Sequence, residues 1–365
     1  MTYKIRLIDK DNEIDAFREL FKSVFNKKMT TELWKWKYFE NPMVSNQPLI
    51  YITEYEGKIV GARPILPNRM KFGVKILKVA QPCDTMVHPE HRRKGIFTKM
   101  TNFAIRDIQK RGFSLFYSFP NPLVGRIYEN VRSLGWQNIS KTNPSYKIFS
   151  PEKVVSSKIS RKILRNIAQT VLRFLSSRKS KLPTIIPAKS YDINEERMII
   201  EEIEELWKRF SENFKISTVR NKEYLEWRFL KHSENDYRFF TARKNKGLLG
   251  YFVTNIVKNL NLIEGRIIDY VIKDNGKEVF LSLLLEALEK FKKEGCDVVS
   301  TWAFTQPEFQ PILDRCGFIK RSSFPYNIFT NECFFAVRKI VSDCLPIDPF
   351  EKKNWYITQA DMDTF

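Results

Sequence analysis

Apolar positions along this 365-residue chain fall into recurrent patterns. Ile96, Met100, Phe103, Ala104 and Ile108 recur every three or four residues, and so do Phe280, Leu283, Leu284, Leu288 and Phe291. Each series predicts a long amphipathic helix. Both are followed by a basic turn with Gly and then by an apolar run, GFSLFYSFP after the first and GCDVVSTWAF after the second. Each run is long enough for a buried strand. A strand, a helix and a further strand in that order predict parallel pairing in the middle of a mixed sheet.

The two series belong to a longer echo. TTELWKWKYFENP near the start returns as NKEYLEWRFLKHSEN past the middle, and the landmarks that follow keep their order. Trp36 to Gly61 is 25 residues and Trp227 to Gly250 is 23; Gly61 to Asp84 is 23 and Gly250 to Asp269 is 19. Asp84 to Gly112 is 28 and Asp269 to Gly295 is 26; Gly112 to Gly135 is 23 and Gly295 to Gly317 is 22. The repeat predicts a duplicated α/β unit with a mixed sheet in each copy. The expected organisation is a domain over 1–150, a linker over 151–189 and a second domain over 190–365. A chain that is 43% hydrophobic and 14% aromatic has enough apolar residues for two packed cores.

Charge sharpens the linker. Of the formal +20, half lies between Lys153 and Lys189, which hold ten Lys or Arg and no Asp or Glu. Within it Ile159, Ile163, Ile167, Val171 and Leu175 recur every fourth residue, with Lys158, Arg161, Lys162, Arg165, Arg173 and Arg178 mostly off that stripe. This pattern predicts a basic amphipathic helix, whose segment 153–182 can either lie on an anionic membrane surface or pack its apolar face on a domain. No window approaches eighteen uninterrupted apolar residues, and MTYKIRLIDKD lacks the apolar core of a secretory signal, so a cytoplasmic location is expected, with peripheral attachment at the inner face of the membrane as the variant. The five cysteines are widely spaced without a CxxC pair and there are three histidines, so neither a disulfide framework nor a metal site is expected.

Candidate chemistry concentrates in TMVHPEHRRKGIFTKM. A turn that feeds a helix presents unpaired backbone N–H groups and the positive end of the helix dipole, and Gly95 permits close approach of an anion. The stretch resembles the acetyl-CoA signature of the GNAT superfamily of acyl-CoA-dependent N-acyltransferases, in which a strand ending V-x-P leads into R-x-x-G-x-G or R-x-x-G-x-A. Val87, Pro89, Arg92 and Gly95 fall on that pattern, while Phe97 replaces a small residue and must turn its ring towards the sheet. SFPNPLVGRIYENVRSLGW resembles the family's second signature through Asn121, Tyr128, Gly135 and Trp136. The resemblance covers roughly residues 1–149. It implies two tandem GNAT-like domains, the second degenerate: KDNGKEVF stands where the turn should be, without an Arg pair and with the acidic Asp274 and Glu278 where pyrophosphate should lie.

The resemblance also implies roles. Backbone groups of Met86 and Val87 would hold the pantetheine arm and stabilise the oxyanion. The N–H groups of Arg93, Lys94, Gly95, Ile96, Phe97 and Thr98 would take the pyrophosphate, with Arg92 and Arg93 adding charge and Asn121 opening the helix beyond the next strand. Tyr128 is the acid expected to protonate the leaving thiolate, although seven residues rather than about four separate it from Gly135. Asp84 is the candidate base, with a structural role as the alternative because Asp269 repeats it in the copy without the turn. His88 and His91 are expected at the surface, and Cys83 in the core. The expected reaction moves an acetyl group from acetyl-CoA to a small-molecule primary amine, most simply an amino sugar of surface-polysaccharide assembly. Two alternatives stay open: a Fem-type transferase using aminoacyl-tRNA, which the charge suits but the intact turn does not require, and a non-catalytic protein that binds CoA or a nucleotide.

Overall fold

The structure is a computed structural model that describes residues 2–9, 12–44, 47–156, 166, 169–170, 191–197, 201–259, 261–322, 333–341 and 345–363. The expected amphipathic helix, whose stripe runs from Ile159 to Leu175, therefore lies almost wholly outside the described residues.

The first half contributes β1 (Lys4–Leu7), β2 (Leu49–Tyr55), β3 (Lys58–Phe72), β4 (Lys75–Pro82), β5 (Met86–Val87), β6 (Leu115–Ser118), β7 (Gln137–Lys141) and β8 (Ser145–Ile148). The second half contributes β9 (Asp192–Glu196), β10 (Ile216–Thr218), β11 (Arg238–Lys244), β12 (Gly247–Asn259), β13 (Leu262–Ile272), β14 (Val298–Thr301), β15 (Ile319–Lys320), β16 (Phe334–Lys339) and β17 (Trp355–Tyr356). The two periodic series form the helices Ile96–Lys110 and Lys277–Lys293, and the strands after them pair in parallel, β6 with β4 and β14 with β13. Each helix buries its apolar stripe on its own sheet: Ala104 and Ile108 join Tyr51, Ile65 and Phe116, while Leu284, Leu288 and Phe291 join Phe252 and Ile267.

The two halves are duplicates that have exchanged a strand. The first sheet runs β1-β2-β3-β4-β6-β16-β7 and the second β15-β8-β14-β13-β12-β11-β9. Thus β16 from the second half fills the first sheet between β6 and β7, and β8 from the first half fills the second between β14 and β15. Sheet membership consequently does not divide at residue 150: Ser145–Ile148 lies beyond the sheet of its own half, and Phe334–Lys339 returns to it. Reciprocal exchange locks the halves, because neither sheet is complete without the other's strand.

The echoed tryptophans mark the seam. Trp36 and Trp227 stack with centroids 5.4 Å apart and 17° between planes. Each indole N–H donates to the other's carbonyl, Trp36 Nε1 to Trp227 at 2.7 Å and Trp227 Nε1 to Trp36 at 2.8 Å. Such reciprocity satisfies both buried N–H groups at once, which a buried Trp requires. Two side-chain caps start the elements that carry these residues: Thr30 accepts from the N–H of Leu33, and Asn221 from that of Tyr224.

His232 lies on the Trp36 ring at 3.9 Å between centroids, and its Nδ1 accepts from the backbone N–H groups of Glu234 and Asn235. Burial, with Arg228 and Lys37 nearby, pushes its pKa down to about 3. The unfolded chain takes up this proton near pH 6.5 and the folded chain does not, so stability is full above that pH and falls as the pH drops towards 3. Between about pH 6.5 and 4.5 the loss is about 2–3 kcal/mol. Urea denaturation at both pH values checks this, and His232→Gln is expected to flatten the dependence.

Candidate active site

At the middle of the first sheet the hydrogen-bonded ladder is interrupted. Ile65 pairs with Pro82 and Ala62 with Met86, so three steps along β3 face four steps along β4 and β5. The extra residue makes a bulge in which Asp84 takes a left-handed φ of 39°. On the other side β4 and β6 pair only at Val79 with Leu115 and Ala80 with Phe116, and beyond this they part. The result is a notch whose floor is the backbone from Gln81 to Val87.

The strand end leads directly into the turn. Pro89–His91 forms a 3₁₀ turn, Arg93 has φ 63° and Gly95 φ 74°, and the helix begins at Ile96. Gly95 caps that helix without any side-chain hydrogen bond, so the first N–H groups are left for a ligand. A Cβ at Gly95 would meet nothing within 4 Å, whereas at Gly61 it would meet Ile96 and Met100 at 3.2–3.3 Å. One glycine therefore lets the helix approach β3 closely, and the other keeps the space over its N-terminus open. Arg92, Arg93 and Lys94 are exposed around that space, with Arg92 Nε donating to the Val87 carbonyl at 3.2 Å. Open volume, unpaired donors and positive charge together fit a phosphate group.

Phe97 packs against the core cluster that holds Tyr51, Tyr128 and Trp136, and the Arg63 guanidinium lies 5.4 Å from its ring. The ring is thus turned inward, and Thr98 is half-buried at the start of the helix. Met86 is buried and Val87 half-buried in their pairing with β3. Asn121 spends its side chain as the cap of helix Pro122–Asn130, accepting from the N–H of Val124 at 3.0 Å. Tyr128 is 3% exposed and stacks on Trp136 with centroids 4.3 Å apart and 2° between planes. Cys83 is buried, and burial holds its thiol well above the usual range, which removes it as a nucleophile.

Asp84 is not a free carboxylate. Its Oδ2 accepts from Lys37 Nζ at 2.6 Å and from Tyr38 OH at 2.5 Å. The same ammonium lies 3.4 Å from Asp363, a residue that sequence reasoning did not single out. Burial opposes the charge on Lys37, but the two carboxylates outweigh it and hold the ammonium well above its ordinary range. Burial raises the Asp363 carboxyl, Lys37 pulls it down, and Asp84 pushes it up, for a net rise. Lys37 directly follows Trp36, so the seam carries this ion cluster to the edge of the notch.

The chain segment 355–363 completes the cluster. β17 pairs with β10, which in turn pairs with β3, and the strand then passes between the halves. Gln81 Nε2 donates to the Asp361 carbonyl at 2.9 Å, and Arg228 donates to the carbonyls of Ala360 and Met362 at 3.2 and 2.7 Å. A narrow cavity follows this seam, lined by Asn41, Asn68, Tyr117, Tyr224, Trp227 and Asp363. Asn68 donates to Tyr117 OH at 3.0 Å, and Tyr117 OH to Gln81 at 3.4 Å, so one wall is a connected polar chain between aromatic faces.

The second half repeats the frame without the notch. Here β13 stays paired with β12 as far as Ile272, and Gly276, at φ −60°, starts the helix in place of a left-handed glycine. Asp269 is fully buried and held by both arms of Arg220 at 2.9 and 2.8 Å. The repeated Asp is here a structural anion.

Comparison with known proteins follows the same outline. Residues 4–139 match the family model described as an acetyltransferase (GNAT) domain. Among solved structures, the chain is similar to a GCN5-related N-acetyltransferase from Anabaena variabilis, at 13% identity and a TM-score of 0.61 over 93% of this chain and 73% of that one. It is similar also to a probable N-acyltransferase from Enterococcus faecalis, at 12% identity and a TM-score of 0.59 over 93% and 73%. N-myristoyltransferase from Saccharomyces cerevisiae with bound myristoyl-CoA aligns at 13% identity and a TM-score of 0.62 over 92% and 82%. No curated protein sequence matches the chain. At such low identity the structural likenesses establish the fold, and the family match describes residues 4–139. The notch and glycine-capped turn of the first half thus lie within the residues that match a GNAT acetyltransferase domain.

Proposed function

We propose that the first half binds acetyl-CoA along the notch and transfers its acetyl group to a primary amine that enters through the seam. The observation that carries this reading is the glycine-capped turn at the foot of the bulged strand. Pyrophosphate oxygens accept from the N–H groups between Arg93 and Thr98, with Arg92, Arg93 and Lys94 adding charge. Backbone groups at Met86 and Val87 hold the pantetheine arm and meet the oxyanion. Asn121 shapes the wall of this groove by capping the helix that carries Tyr128.

In the transfer the amine nitrogen forms a bond to the thioester carbon and the carbon–sulfur bond breaks. The proton released by the incoming ammonium goes to the acidic pair Asp84 and Asp363, whose shared Lys37 keeps one carboxylate charged. Asp363 is the better acceptor of the two, since Asp84 Oδ2 is already engaged twice. Tyr128 gives its proton to the departing thiolate, and the second proton lost by the nitrogen, as the amide forms, restores the phenol. Tyr128→Phe is then expected to lower kcat by about 100-fold or more while leaving the affinity for acetyl-CoA unchanged, as read by thiol release and by calorimetry.

The acceptor is an amino sugar, linked to a nucleotide or a lipid, of surface-polysaccharide assembly. Aromatic faces and neutral amides along the seam support it: Asn41, Asn68 and Gln81 offer both donors and acceptors to hydroxyls, and Tyr224 and Trp227 offer apolar faces. The second half then serves as a wall of the acceptor site. Segment 153–182 would bring a lipid-linked acceptor near through anionic lipid. Among the described residues no helix is long and apolar enough to cross a membrane. Assays with acetyl-CoA on a panel of amino sugars, peptides and aminoacyl-tRNA test the acceptor class. Transfer to peptide or from aminoacyl-tRNA alone would refute it.

A further inference from the structure

A separate constellation lies just ahead of the turn. His88 caps the 3₁₀ turn Pro89–His91 that holds Glu90 and His91, and three residues per turn bring positions 88 and 91 to the same side. The two imidazoles meet edge to face with centroids 5.9 Å apart, and His88 Nδ1 is 4.0 Å from the Glu90 carboxylate. One ligand atom from each of the three residues lies within 4.8 Å of the other two. The chain has three histidines, and two of them are here.

Two further features prepare the ring nitrogens. His91 Nδ1 is 3.1 Å from Tyr3 OH, and the ring is braced by Tyr3 and Tyr55 at 5.9 and 5.2 Å. An outer hydrogen bond of this kind orients an imidazole and leaves Nε2 for a metal. His88 Nδ1 is buried and has no hydrogen-bond partner among the described residues, an unmet polar atom that a metal bond would satisfy.

We propose that His88, Glu90 and His91 bind one divalent ion of the class that favours imidazole, represented by Zn²⁺. Two imidazoles and one carboxylate leave at least one coordination position to solvent, since the Glu90 side chain is 82% exposed. The site is therefore exchangeable and does not hold the fold together. A second trio, Cys83, Asp84 and Asp363, also brings its ligand atoms within 4.8 Å. Lys37 already supplies a cation there, 2.6 Å from Asp84 and 3.4 Å from Asp363, which makes it the poorer metal site.

Titration of the full chain with Zn²⁺ by calorimetry, repeated with Co²⁺ by visible absorption, tests the assignment. Wild type and Cys83→Ala are expected to take up one equivalent with equal affinity. Glu90→Gln, altered at an exposed side chain, is expected to bind about tenfold more weakly or worse, and His88→Ala to lose the site, with circular dichroism unchanged in both. Failure of wild type to bind, unaltered binding in both His88→Ala and Glu90→Gln, or loss in Cys83→Ala would overturn it. None of these readouts depends on acyl transfer.

Discussion

Replacing Arg220 by Ala is expected to destabilise the protein by about 3–5 kcal/mol, the cost of stranding buried anions. Arg220 is wholly buried and its guanidinium binds Asp269 through two hydrogen bonds, lies 3.4 Å from Asp361 and donates to Thr358 at 3.2 Å. Both carboxylates are fully inaccessible at their side chains. Asp361 is further tied to Thr218 OH at 2.6 Å and to the N–H of Thr358 at 2.8 Å, closing a capping box on the 3₁₀ turn Gln359–Asp361. Without the arginine two carboxylates face each other in the core. Neutralising them should return much of the loss: Arg220→Met with Asp269→Asn and Asp361→Asn is expected to be more stable than Arg220→Ala alone. Urea denaturation checks both. A loss below about 1 kcal/mol for Arg220→Ala would mean that water reaches this network.

The same network links stability to the proposed chemistry. It fixes the segment 355–363, which carries Asp363 to Lys37, so loosening it should lower transfer activity even where the chain stays folded. Acetyl-CoA binding, proposed for the glycine-capped turn, is expected to be spared.

The second large effect belongs to Gly95. Its φ of 74° costs a residue with a side chain about 1–2 kcal/mol, yet a Cβ there meets no protein atom within 4 Å. Gly95→Trp is therefore expected to fold, with an indole standing over the helix N-terminus. The space it fills is the space proposed for pyrophosphate. Loss of cofactor binding without loss of the fold separates this site from a turn that merely caps a helix.

Local pattern carried much of this in advance. The 3.6-residue periodicity gave the helices Ile96–Lys110 and Lys277–Lys293, and the Trp, Gly and Asp landmarks gave the duplication, because both are written in residues near one another in sequence. Phe97 was legible as a misfit, and its inward ring against the core is how the fold accommodates it. The strand exchange was not legible. Ser145–Ile148 and Phe334–Lys339 are short strands whose own sequence does not say which sheet they join, and pairing across 150 to 224 residues leaves no local trace. Asp363 was missed for the same reason. Only the path of the chain through the seam brings it to Lys37, a buried cation that no local pattern marks.

Calorimetry with acetyl-CoA on wild type and on Gly95→Trp tests the cofactor site most directly. One equivalent bound by the wild type and none by the folded variant is the result expected. Absence of binding to wild type, or equal binding to both, would contradict the assignment of Arg92–Thr98 as the acyl-CoA site.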